Sequence, residues 1–83
     1  MDIRQLEMFQ AVAEEASFTR AGDKLHVSQS AISRQVKLLE EELGGVLLHR
    51  RSRKVTLTHA GELLLKTANR LFRDLQDVVW QIS

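Results

Sequence analysis

Eighty-three residues, 43% hydrophobic and 28% charged, suit one folded domain with a modest core, because a chain this short buries only about 60% of the surface its unfolded form exposes. The absence of cysteine excludes a disulfide framework, a thiolate metal site and a cysteine nucleophile. The net charge of +1 does not by itself point to nucleic acid, but His49-Arg50-Arg51-Ser52-Arg53-Lys54 packs four full positive charges into six residues while Glu14-Glu15 and Glu40-Glu41-Glu42 stand elsewhere.

In chain order, Ile3, Leu6, Phe9, Val12/Ala13 and Ala16 recur at steps of three and four and predict a first amphipathic helix over about residues 3–15. Ser17 breaks it and caps a short second helix, buried through Phe18, Ala21 and Leu25 and ending near residue 25. His26-Val27 is the turn, and Ser28 caps a third helix whose apolar positions Ile32, Val36, Leu39 and Leu43 share one side until Gly44-Gly45 stops it. Val46–Arg50 and Val55–Leu57 favour strands on either side of Arg51-Ser52-Arg53-Lys54, which predicts a small hairpin with a basic tip. Thr58 caps a last helix over about residues 59–82, which at ~1.5 Å per residue spans ~36 Å. Leu64, Ala68, Leu71, Leu75, Val78 and Ile82 form a heptad seam along it, with Leu65, Phe72 and Val79 beside them and Trp80 near the end. That much apolar surface calls for a partner, and a second copy of the chain is the expected one. The body's own apolar set is Leu6, Phe9, Phe18, Leu25, Ile32, Val36, Leu39 and Leu43, so a cut after about residue 62 is expected to leave much of the three-helix body folded while tight DNA binding is lost.

Taken as one object, residues 18–43 have the spacing of a helix-turn-helix. Opposite the apolar stripe of the third helix stand Ser30, Ser33, Arg34 and Lys37, with Gln29 in the first turn. Such a division suits a helix that packs on one side and offers donors and acceptors to base edges on the other, since Gln pairs with adenine, Arg with guanine and Ser with either. A polar helix face or a basic run is by itself ordinary solvated surface; their adjacency is what points to DNA. For Ser17, Ser28 and Thr58 capping is the primary role, with a phosphate contact from the exposed helix N-terminus as a second. His26, His49 and His59 have no acidic or cysteine partner at metal-ligand spacing, and no triad order, phosphate loop or carboxylate pair suggests an enzyme. No apolar run approaches the ~20 residues of a membrane span, and Met1-Asp2-Ile3-Arg4 lacks the apolar core of a signal peptide, so the expected location is the cytoplasm.

The strings Leu6-Glu7-Met8-Phe9, Ser17-Phe18-Thr19-Arg20-Ala21, Leu25-His26-Val27-Ser28-Gln29-Ser30-Ala31-Ile32-Ser33-Arg34-Gln35, Val55-Thr56-Leu57-Thr58 and Ala60-Gly61-Glu62 resemble the LysR-type bacterial transcription regulators, over nearly all the chain. The resemblance implies an all-α fold with a two-stranded wing: a winged helix-turn-helix over residues 1–58 and a linker and dimerisation helix over 59–83. It implies a homodimer on an interrupted palindrome in double-stranded promoter DNA, no cofactor, and a small-molecule effector only for a C-terminal domain that is not in this chain. Base reading falls on Gln29, Ser30, Ser33 and Arg34, and wing contacts on Arg51 and Arg53, with Ser17, Thr19, Ser28 and Lys37 completing the expected contacts. The sequence departs from the family pattern at Gly22, where alanine is frequent, at Ser30 and His59, where proline is frequent, and at Leu48, where phenylalanine is usual. Gly22 inside a helix should lose about 0.5–1 kcal/mol relative to alanine unless close packing needs it. Two rival functions stand beside this one: a coiled-coil dimerisation module without specific readout, and a nonspecific architectural binder.

Overall fold

A computed structural model describes residues 1–83 as four helices and one hairpin: α1 (Ile3–Glu15), α2 (Phe18–Leu25), α3 (Gln29–Leu43), β1 (Leu48–Arg51), β2 (Lys54–Leu57) and α4 (His59–Ile82), with extents of 44 × 26 × 19 Å. Every helix start carries a side-chain cap. Asp2 accepts from the Gln5 amide at 2.7 Å, Ser17 from Arg20 at 3.1 Å, Ser28 from Ala31 at 3.1 Å and Thr58 from Gly61 at 2.9 Å, each satisfying an amide that has no partner within the helix. Ala16 and His26 adopt left-handed conformations, with φ of 52° and 58°. These reversals let α1, α2 and α3 follow one another through two-residue and three-residue junctions, at the strain that non-glycine residues meet in that region.

The core is centred on Phe9, Val12, Ile32, Val36 and Leu39, all fully buried, and each contributes about 1.5–3 kcal/mol of transfer free energy. Met8, Ala11, Leu47 and Leu48 join it, while Leu25 packs at its edge. Leu43 does not: it lies on the last turn of α3, 44% exposed, beside Leu63 and Leu64 of α4 in a shallow surface groove rather than in the core. Polar locks tie the helices together, Gln5 Nε2 donating to Gln35 Oε1 at 2.9 Å and Gln10 Nε2 to Asn69 Oδ1 at 2.8 Å.

The first strand begins two residues later than its β-favouring run. The Leu47 and Leu48 amides donate to Glu40 Oε2 at 2.7 and 3.3 Å, so a side chain of α3, rather than a strand partner, receives them. The Thr58 amide donates to the Leu47 carbonyl at 3.0 Å and its hydroxyl to the Val46 carbonyl at 2.6 Å, which fixes this segment against the start of α4. In the hairpin Leu48 faces Leu57, His49 faces Thr56, Arg50 faces Val55 and Arg51 faces Lys54. Ser52 and Arg53 form a two-residue turn with φ of 45° and 68°, the sign that a type I′ hairpin turn requires.

The first half of α4 belongs to the same core. Gly61 and Ala68 are buried, and Leu64, Leu65, Leu71 and Phe72 are half-buried against the body. This corrects two expectations. Ala68 is fully buried within its own chain, which removes it from a seam with a second copy. A cut near residue 62 would uncover the core, because the face of α4 that satisfies the heptad pattern first satisfies the body. Beyond Phe72 the helix leaves the body, and Leu75, Val78, Val79, Trp80 and Ile82 are all exposed.

Candidate nucleic-acid interface

The helix-turn-helix is closed by one carbonyl. The His26 and Val27 amides both donate to the Gly22 oxygen, the latter at 3.0 Å. A Cβ on Gly22 would stand 2.6 Å from the Val27 carbonyl oxygen and 3.5 Å from the Gln29 amide, so this departure from alanine answers a close approach of backbone to backbone. The approach sets how α3 leaves the turn, and therefore which of its faces reaches solvent.

On α3, Ile32, Val36 and Leu39 are inward, and Gln29, Ser30, Arg34 and Lys37 are exposed with Ser33 half-buried among them. Ser28 does the capping expected of it, and its oxygen lies 3.3 Å from the Ser30 hydroxyl. The outward face thus begins at the helix N-terminus, where free amides and the helix dipole favour an anion. Lys37 stands apart, one turn further on, beside Glu40 and Glu41.

Beside that face lies a cleft of about 390 Å³, bounded by Ser17, Phe18 and Thr19 at the start of α2, by Gln29, and by the hairpin from Arg50 to Val55. It gathers Ser17, Thr19, Gln29, Arg51 and Arg53 at one concave, strongly basic surface. Ser28, Ser30, Ser33, Arg34 and Lys37 lie outside its lining, along α3. The cleft holds no carboxylate, and the acidic residues of α3 are on its last turns. The arrangement provides a concave cationic seat next to a helix face rich in hydrogen-bonding groups, the division of labour between backbone positioning and base reading.

Arg50 is a contributor that the sequence reading passed over in favour of Arg51 and Arg53. Its guanidinium lies 3.9 Å from the Phe18 ring centroid, and its Nη1 donates to Ser33 Oγ at 2.9 Å. The signal was present, since Arg50 is two residues from buried Leu48 and shares its face of the strand. Glu40 was also missed, as its partners are backbone amides that no spacing announces. No helix is long and apolar enough to cross a membrane, and no three His, Cys, Asp or Glu side chains are grouped to hold a metal.

The family model described as bacterial regulatory helix-turn-helix protein, lysR family, matches residues 3–62. The HTH-type transcriptional regulator BsdA of Bacillus subtilis (strain 168) is 45% identical over 84 residues, covering 100% of this chain and 29% of that protein. The DNA-binding transcriptional dual regulator OxyR of Escherichia coli (strain K12) is 49% identical over 76 residues, covering 92% of this chain and 25% of its own length. The chain therefore spans about a quarter to a third of these relatives. Among solved structures, the complex of the BenM DBD with catB site 1 DNA superposes with a TM-score of 0.94 at 44% identity, over 99% of this chain and 91% of that one. Full-length CbnR complexed with its target DNA superposes at 0.88 with 42% identity, over 98% of this chain and 28% of that one.

Proposed function

Since the chain belongs to the lysR family of bacterial regulatory helix-turn-helix proteins, we propose that it is the sequence-specific DNA-binding part of a transcription regulator acting in the cytoplasm, and not an enzyme. The observation that carries this reading is the adjacency of the basic cleft to the exposed N-terminal face of α3. In this reading α3 enters the major groove, Gln29, Ser30, Ser33 and Arg34 meet base edges, and Lys37 meets the backbone. Ser17, Thr19 and Ser28 take phosphates at the helix starts, and Arg51 and Arg53 lie near the minor groove or its phosphates. That relatives such as BenM and CbnR are described in DNA complexes supports the assignment.

Residues 1–58 carry the DNA contacts and residues 59–83 form the joining helix, whose first half also completes the core of the body. Two copies join through Leu64, Leu71, Phe72, Leu75, Val78, Val79 and Ile82, the last four of which the body leaves exposed. Two linked heads then engage two half-sites of an interrupted palindrome, and the second binds at a raised effective concentration worth about 10²- to 10⁴-fold. A small-molecule effector is sensed, in this reading, by a domain beyond this chain. A mobility-shift titration at ~150 mM salt with excess nonspecific competitor is the test, because specific complexes persist where nonspecific ones dissociate. A dimerisation module without readout retains no complex, and an architectural binder retains none that prefers one duplex to another.

A further inference from the structure

We infer that Arg50 is a positioning residue that biases Ser33 towards donating its hydrogen, so that α3 prefers an acceptor edge at the base it meets through Ser33 and disfavours cytosine there. The inference rests on the DNA-reading function proposed above and specifies one contact within it. A serine hydroxyl is chemically ambivalent, with one hydrogen and two lone pairs, and on a free helix face it pairs with donors and acceptors alike. A guanidinium has five donors and no acceptor. With Arg50 Nη1 at 2.9 Å, Ser33 Oγ accepts in that bond, which engages one of its two lone pairs and leaves its hydrogen free to donate. The positive charge beside it also favours an electron-rich partner. In the major groove the acceptors are guanine N7 and O6, adenine N7 and thymine O4, whereas cytosine presents only its amino donor.

The geometry holding Arg50 is built from three elements. Phe18 at the start of α2 lies beneath the guanidinium at 3.9 Å, pairing with Val55 places Arg50 in the β-ladder, and Ser33 receives it from α3. The planar group is thereby restrained on one face by an aromatic ring and at one edge by the hydroxyl. Lysine offers neither the plane nor the fork, so it would keep the charge and lose the orientation. The same bond ties the hairpin to the reading helix, and Arg50 therefore acts on base choice through Ser33.

The experiment is selection from a random duplex pool by the intact chain and by Ser33→Ala, Arg50→Met, Arg50→Lys and Ser33→Ala/Arg50→Met, with thermal melts to show that each is folded. The intact chain is expected to deplete cytosine at one base position. Ser33→Ala, which removes only a hydroxyl, should weaken that depletion about 2- to 10-fold, the range of a single net hydrogen bond. Arg50→Met should weaken it at the same position, Arg50→Lys should fail to restore it, and the double variant should lose no more than Ser33→Ala alone. Restoration by lysine, or an Arg50→Met profile unchanged at that position while all affinities fall together, overturns the inference and reduces Arg50 to a charge. An intact chain that selects no sequence overturns the DNA-reading function itself and the inference with it, whereas a strong profile in which Ser33→Ala changes nothing sinks the inference alone.

Discussion

Gly61 lies so close to Leu47 that a Cβ on it would stand 2.1 Å from the Leu47 carbonyl oxygen and 3.0 Å from Leu57 Cδ2. The first turn of α4 is thus laid directly on the segment leading into the hairpin, which also receives the Thr58 amide and hydroxyl. Alanine would normally favour a helix interior by about 0.5–1 kcal/mol, but here a rigid backbone atom occupies the space. Gly61→Ala is expected to destabilise the chain by about 2 kcal/mol, lowering Tm by roughly 10 °C. Gly45→Ala, where a Cβ meets nothing within 4 Å, is the control and should be neutral or slightly stabilising. Thermal melts of the two variants check the contrast, and equal Tm values would show that α4 can shift without cost.

Arg34 is exposed on the outer face of α3, between inward Ile32 and Val36. Arg34→Ala is expected to weaken binding to a preferred duplex by about 1–3 kcal/mol and to relax preference at one base position, as removal of a directed hydrogen bond to a base edge does. Titration against preferred and scrambled duplexes measures this. Equal losses on both would reassign Arg34 to the phosphate backbone.

At the hairpin tip the charge can be removed without disturbing the turn. Arg53 holds a φ of 68°, which glycine adopts more readily than arginine. Arg53→Gly should therefore keep the hairpin folded and flatten the slope of log affinity against log salt by about 0.9 for each phosphate no longer neutralised. Arg51→Ala should act in the same direction. A slope unchanged in both variants would mean that the tip does not touch DNA.

The division within α4 at Phe72 predicts two different truncations. A chain ending after residue 62 loses Ala68 and the half-buried residues around it, and should fail to fold. A chain ending after residue 74 keeps them, and should melt cooperatively as a monomer that binds operator weakly. In the full chain, Leu75→Lys with Val79→Lys places two charges on residues already 45% and 55% exposed, so the fold should survive while the dimer is lost. Sedimentation and operator affinity at one salt concentration report both. A monomer that binds as tightly as the parent would rule out linked half-site recognition.

Much of this architecture was legible because apolar spacing and capping residues agreed. The steps through Ile32, Val36 and Leu39, with Ser28 before them and Gly44 after, specify α3 and its outward face together. Less legible was where apolar residues of α4 are used. Ala68 and Leu75 occupy equivalent seam positions, yet one is buried by the body and the other exposed, because the seam pattern records only that a face is covered and not by which chain. Arg50 was obscured for a similar reason. Its charge reads as part of a solvated basic run, and only the fold brings Phe18 and Ser33 beneath it. Gly22 was read as a cost unless close packing needed it, and the backbone oxygen of Val27 that supplies the need lies across a turn whose closeness no spacing encodes.

The central claim, that the outward face of α3 and its neighbouring basic cleft read a DNA sequence, is tested most directly by sequencing the duplexes that the chain retains from a random pool at ~150 mM salt, where nonspecific complexes are weak. The account predicts enrichment of two related half-sites in inverted orientation at a fixed spacing. A retained pool with the same sequence composition as the input would contradict it.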